Sequence, residues 1–87
     1  MWKTAEEIDI ELAQRVKAIR KRKKITQNNL ALKSNVSYGS IKRFEESGNI
    51  SLISLTRICF ALGCEQELMN LFVNVGYKDI SEVINEK

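Results

Sequence analysis

The stretch Thr26–Ser47, TQNNLALKSNVSYGSIKRFEES, constrains the chain more than any other. Thr26 is a helix-capping residue, and Leu30 with Ala31 falls on one inward face of the short helix that follows it. Asn35-Val36 breaks that pattern, and asparagine tolerates the left-handed backbone of a tight turn better than most residues. Ser37 caps a second short helix, on which Ile41 and Phe44, three apart, share a face. Tyr38, Gly39, Lys42 and Arg43 then point elsewhere. Ser47-Gly48-Asn49 is turn chemistry, with Gly48 as the left-handed residue that ends the helix. Two short helices joined by a tight turn cannot bury both apolar faces alone, so the remaining chain must supply the cover.

It does so with helices. Thr4-Ala5-Glu6-Glu7 is a capping-box pattern, and Ile8, Leu12, Val16 and Ile19 form one stripe, predicting a helix from about Ala5 to about Lys23. Arg20 falls beside that stripe, so it needs either a buried partner or a route outward to solvent. Ile25 enters the core, and Ala31 suits a close helix crossing. Ser51 caps a fourth helix with the stripe Leu52, Leu55, Ile58, Cys59 and Leu62, stopped by Gly63. A fifth helix is predicted over about Glu65 to Val75, with Leu68, Leu71, Phe72 and Val75 on one face. There is no proline and no alternating run of β-branched residues, so the fold class is all-α with five helices. Residues 1–75 read as one domain, and residues 76–87 as a short tail with too little apolar surface to stand alone.

The net charge of +3 conceals a steep gradient along the chain. Residues 15–43 carry ten basic side chains and no acid, while the segments on either side are net negative. A lysine-rich run alone is equally well a solvated helix face; its overlap with the helix pair favours a polyanion partner. The chain has no histidine, so neither a Cys/His metal site nor a Cys–His nucleophile can be assembled. Cys59 and Cys64 read as a small apolar residue on a helix face and a residue just past its end, not as a disulfide framework. The acids among the first residues interrupt any signal-peptide pattern, and no run approaches the ~20 apolar residues of a membrane span. The expectation is a cytoplasmic protein without catalytic residues, metal or cofactor, and not an enzyme.

These features resemble the helix-turn-helix family of small phage-type repressors, the Cro and C1 group. The likeness runs from about Leu12 to Phe72, through Ile25-Thr26-Gln27, Leu30-Ala31, Val36-Ser37, Ser40-Ile41 and Phe44-Glu45. The later Ile50-Ser51-Leu52, Leu55 and Ala61-Leu62-Gly63 also fit. The resemblance implies a sequence-specific regulator, a repressor, whose third helix enters the major groove of double-stranded DNA. It implies a DNA-binding set of Gln27, Ser37, Tyr38, Gly39, Ser40, Lys42 and Arg43. Gln27 would bond a phosphate and brace the start of the third helix. Tyr38, Gly39 and Arg43 would face base edges, with Ser37, Ser40 and Lys42 nearer the backbone. It also implies that Arg20 and Glu45 pair inside the domain. Three positions depart from the pattern: Gly39 has no side chain to read with, and Asn35 and Lys24 stand where glycine is common.

One domain presents one such helix and covers a half-site, so a homodimer is expected, formed by the fifth helix and the segment 77–84. The alternative reading is an antitoxin that represses its own operon and caps a toxin. The Phe44-Glu45 to Ser51-Leu52 stretch resembles antitoxins that partner HipA-type kinases. An adaptor that kept the fold without DNA binding is a further reading, against which the basic block and Arg43 speak.

Overall fold

The computed structural model describes residues 3–74, and these form α1 (Ala5–Arg22), α2 (Gln27–Ser34), α3 (Tyr38–Ser47), α4 (Leu52–Leu62) and α5 (Glu65–Met69). Among the described residues there is no strand. Helix α1 packs on α3 and α4, α2 packs on α3 and α4, and α4 carries α5. Every expected cap forms. The hydroxyls of Thr4, Thr26, Ser37 and Ser51 accept from the amides of Glu7, Asn29, Ser40 and Ser54 at 3.1–3.2 Å. Each such cap contributes about 1 kcal/mol. At α1 the box is complete, because Glu7 also accepts from the Thr4 amide at 2.8 Å.

The helix ends follow from left-handed residues. Asn35 (φ 59°), Gly48 (φ 83°) and Gly63 (φ 73°) terminate α2, α3 and α4. Lys24 takes the same conformation after α1, at φ 59°. Its amide donates to the Lys21 carbonyl at 2.9 Å, and that of Ile25 donates to Arg20 at 3.2 Å. The lysine therefore keeps the glycine-type ending of α1 at a cost of about 1–2 kcal/mol. Between α2 and α3, the buried Ser34 hydroxyl accepts from the Val36 amide at 3.2 Å and closes the turn.

The core gathers Ala13, Leu30, Val36, Ile41, Phe44, Ile58 and Leu62, with Val16, Ile19, Ile25, Ala31 and Leu55 packed around it. Two expected stripes are corrected at their ends. Ile8 and Leu12 are 47% and 44% exposed, and α1 instead buries Ala13 and Arg20. The N-terminal part of α1 lies against the end of α3, where the Asp9 backbone meets Gly48, and small residues make that approach. Leu52, in the first turn of α4, is 71% exposed. Helix α5 is also shorter than expected. It stops at Met69, and the chain turns over Asn70–Phe72, with Phe72 itself left-handed at φ 61°. Leu71 and Phe72 are consequently exposed instead of completing an inward face. Val75 and the 76–87 tail lie outside the described residues.

A Cβ added at Gly48 would lie 2.6 Å from the Asp9 carbonyl carbon, whereas one at Gly39 meets nothing within 4 Å. Gly48→Ala is therefore expected to lower unfolding free energy by about 2–4 kcal/mol through backbone strain and overpacking. Gly39→Ala is expected to leave stability unchanged or raise it by up to ~1 kcal/mol. Urea denaturation checks both; equal midpoints for the two variants would mean that α1 and α3 do not depend on this contact.

Candidate nucleic-acid interface

Helix α3 divides cleanly. Ile41, Phe44 and Glu45 are buried, while Ser37, Tyr38, Gly39, Lys42, Arg43 and Glu46 are exposed. Gly39, Lys42, Arg43 and Glu46 recur at helical spacing on one outward stripe. Within it the charge runs from a bare backbone position through two cations to a terminal acid. Glu46, which the sequence reading passed over, repels phosphate and marks where a polyanion's contact with α3 should end.

What holds α3 is a buried charged cluster. Arg20 Nε donates to Glu45 Oε2 at 2.7 Å and Nη2 to Oε1 at 3.0 Å, a two-pronged pair. The side chains are 9% and 2% exposed. Arg20 Nη1 donates in addition to the Ile25 carbonyl at 2.7 Å, and Gln27 Nε2 donates to Glu45 Oε1 at 2.8 Å. Four groups from the end of α1, the following turn, the start of α2 and the inner face of α3 thus converge. Gln14 Nε2 reaches the Glu45 carbonyl more weakly, at 3.4 Å. The Arg20–Glu45 pair stands as expected. The bracing by Gln27 is corrected in place: it goes to the eighth residue of α3, not to its start. The reason is that Glu45 offers a buried carboxylate, while the start of α3 is already satisfied by Ser37.

Ser37 and Ser40 are not equivalent. The Ser37 hydroxyl accepts from the Ser40 amide and donates to Ser40 Oγ at 2.8 Å, so its donor is committed within the cap. The partly buried Ser40 hydroxyl has its own proton left for an outside acceptor. Tyr38 is 44% exposed at the start of α3, leaving its ring edge and hydroxyl accessible. Neither α2 nor α3 carries an acid in its first turn, unlike α1 and α5.

The basic block is mostly unneutralised within the domain. Arg20 is consumed by Glu45, and Arg15 lies 3.8 Å from Glu11. Glu11 is engaged chiefly by Lys3, whose hydrogen bond and charge, with Arg15 adding, hold its carboxyl below the ordinary value. Among the described residues Lys21, Arg22, Lys23, Lys24, Lys33, Lys42 and Arg43 form no ion pair, and all are exposed. No group of His, Cys, Asp and Glu among the described residues could hold a metal ion, and no described helix is long and apolar enough to cross a membrane.

Glu45→Ala would leave Arg20 buried and without its carboxylate, a loss expected to be about 3–5 kcal/mol. Gln27→Ala removes one neutral donor from a carboxylate that keeps its arginine, and should cost about 1–2 kcal/mol. Urea unfolding of the two variants reads this ranking; an unchanged midpoint in Glu45→Ala would show that the pair does not hold α3.

Comparison with family models gives a helix-turn-helix match over residues 16–65. No curated protein and no solved structure matches. The matched span runs from the middle of α1 to the first residue of α5 and contains the whole Arg20–Glu45–Gln27 cluster with both capped helices. With more than half of the chain inside that match and the helix pair formed as described, the chain belongs to the Cro/C1-type helix-turn-helix family of DNA-binding transcriptional regulators.

Proposed function

We propose that the protein is a sequence-specific repressor that places α3 in the major groove of its operator and acts in the cytoplasm as a homodimer. The observation that carries this reading is the exposed Lys42–Arg43 pair on α3, which like the exposed Lys21–Lys24 is free of internal ion pairs among the described residues. Arg43 reads base edges, with guanine O6 and N7 its best bidentate target, worth about 1–3 kcal/mol of discrimination. Tyr38 packs its ring edge on a thymine methyl. Gly39 lets the α3 backbone approach closely but reads nothing by side chain. Lys42, the Ser40 hydroxyl and the free amide hydrogen of Gln27 serve phosphates, and Ser37 contributes by holding the cap. Lys21, Arg22, Lys23 and Lys24 supply affinity that is independent of sequence and sensitive to salt.

Selection of bound sequences from a random duplex pool should yield an inverted repeat with half-sites one helical turn apart, ~34 Å. Arg43→Ala should then lose operator affinity about tenfold or more while its urea midpoint stays that of the parent. Replacing Lys21, Arg22, Lys23 and Lys24 by glutamine should instead weaken all sequences alike and flatten the salt dependence, by about 0.9 in the log–log slope per lost phosphate contact. Parent-like affinity in Arg43→Ala would remove it from the reading face.

The dimer is supported by apolar side chains left open on the surface. Phe60, Met69, Leu71, Phe72 and Val73 of α4 and the α5 region are between 52% and 82% exposed. Burying these residues against a second copy removes apolar surface that a monomer gains nothing by leaving open. The same surface is what an antitoxin would offer a toxin, so this second reading rests on it too; a toxin reading frame beside this one would favour it. Sedimentation on and off operator DNA should show two chains per operator. A monomer at high concentration under both conditions would defeat the homodimer.

A further inference from the structure

The last turn of α4 ends in a motif that brings its two cysteines together. Gly63, left-handed at φ 73°, donates its amide to the Phe60 carbonyl at 3.1 Å, and Cys64 donates to Cys59 at 2.9 Å. This pair of bonds is the Schellman ending, which sets the side chains of the residues at its two ends, here Cys59 and Cys64, against each other. The Cys64–Cys59 hydrogen bond limits their Cα separation to about 6.8 Å by backbone dimensions, within the span a disulfide can bridge. Both cysteines line one cavity of about 320 Å³ between α1 and α5, walled by Val16, Ile19, Leu68 and Leu71. Both are free thiols, Cys59 buried and Cys64 half-buried.

We infer that Cys59 and Cys64 form a redox-active dithiol, a modification site that closes to an intrachain disulfide when it meets a disulfide oxidant such as oxidised glutathione. The inference does not rest on DNA binding or on the dimer. The roles are unequal. Burial first, and the neighbouring Cys64 second, pushes the Cys59 thiol up to about 12, so it is held protonated and is the poorer first nucleophile. Cys64, the more accessible, loses its proton and attacks the oxidant as thiolate, forming a mixed disulfide and releasing one glutathione thiolate. Cys59 then gives up its proton and attacks the Cys64 sulfur, expelling the second glutathione thiolate. The protein loses two electrons and two protons, and the oxidant leaves as two thiols. The new bond ties the end of α4 to the residue before α5 and fixes the cavity wall carried by Leu68 and Leu71.

The test equilibrates the full chain with mixtures of reduced and oxidised glutathione, with and without urea, then traps remaining thiols by alkylation after acid quenching and weighs the intact chain. The expected product is a monomer two hydrogens lighter that takes up no alkylating agent. It should form in the native protein at a more reducing mixture than in urea, and the oxidised protein should accordingly unfold at a higher urea concentration than the reduced one. Cys64→Ser and Cys59→Ala should each abolish the lighter monomer. Thiols that stay alkylatable in the native protein at mixtures that oxidise the unfolded chain would overturn the inference. So would disulfides found only between chains, or an oxidised protein less stable than the reduced one.

Discussion

The buried pair between Arg20 and Glu45 is the interaction on which the remaining geometry depends. Neither residue could occupy its position alone, because an unpaired charge with less than a tenth of its surface exposed costs several kcal/mol. Together they fix more than stability. Arg20 stands at the end of α1, its third arm holds the carbonyl of Ile25 where the chain turns into α2, and Glu45 accepts from Gln27 at the first position of α2. An apolar trio of the same volume would fill the space but would set no direction. Directional hydrogen bonds to a single carboxylate leave α3 one orientation relative to α1 and α2, so its outward stripe is presented in a fixed direction. The pair also decides the electrostatics outside. It keeps the Glu45 charge compensated beneath the outward stripe of α3 and leaves the exposed cations of α1 and α3 free to face a polyanion.

How far the chain could be read in advance depends on whether the governing interaction is local. Caps and left-handed turns are local, and Thr4, Thr26, Ser37, Ser51, Asn35, Gly48 and Gly63 all sit where their chemistry places them. Lys24 shows the same rule from the opposite side: the backbone requirement at the end of α1 persists although the residue is unsuited to it. Periodicity, by contrast, identifies a helical face but says nothing about where the neighbouring helix ends. Ile8, Leu12 and Leu52 belong to correct stripes yet extend past their cover; α1 buries Ala13 instead, and Gly48 makes the close approach to the Asp9 backbone. The fifth helix failed for a related reason. It packs on α4, but the chain turns at Asn70–Phe72 and leaves Leu71 and Phe72 exposed.

For the candidate site, the residues on α3 were legible because a helix with one buried face exposes the rest by geometry. The partner of Gln27 was not, since it lies eighteen positions away on another helix and depends on how α2 and α3 pack. Glu46 was overlooked because an acid within a basic region carries weight only once its stripe is known. Its position explains why docking should be polarised. The N-terminal half of α3 joins a capped, acid-free helix start to Lys42 and Arg43, whereas the C-terminal end carries Glu46 and meets the acidic first half of α1 at Asp9.

Charge and apolar surface are also unevenly spread over the rest of the domain. Most of the exposed cations lie on the second half of α1 and on α2 and α3, while α4 and the α5 region carry many of the large exposed apolar residues; Ile8, Ile10 and Leu12 of α1 and Leu32 of α2 are exposed as well. A small domain cannot spend apolar surface freely, because it has little core from which to draw stability. Phe60, Met69, Leu71 and Phe72, all left open, are therefore burial withheld from folding, and under the proposed dimer they would be covered by association. Because α4 connects to both α2 and α5, whatever covers those residues bears on the element that backs the recognition pair. Association would then add to DNA affinity twice: by joining two reading helices on one duplex, and by stabilising the scaffold that orients each of them.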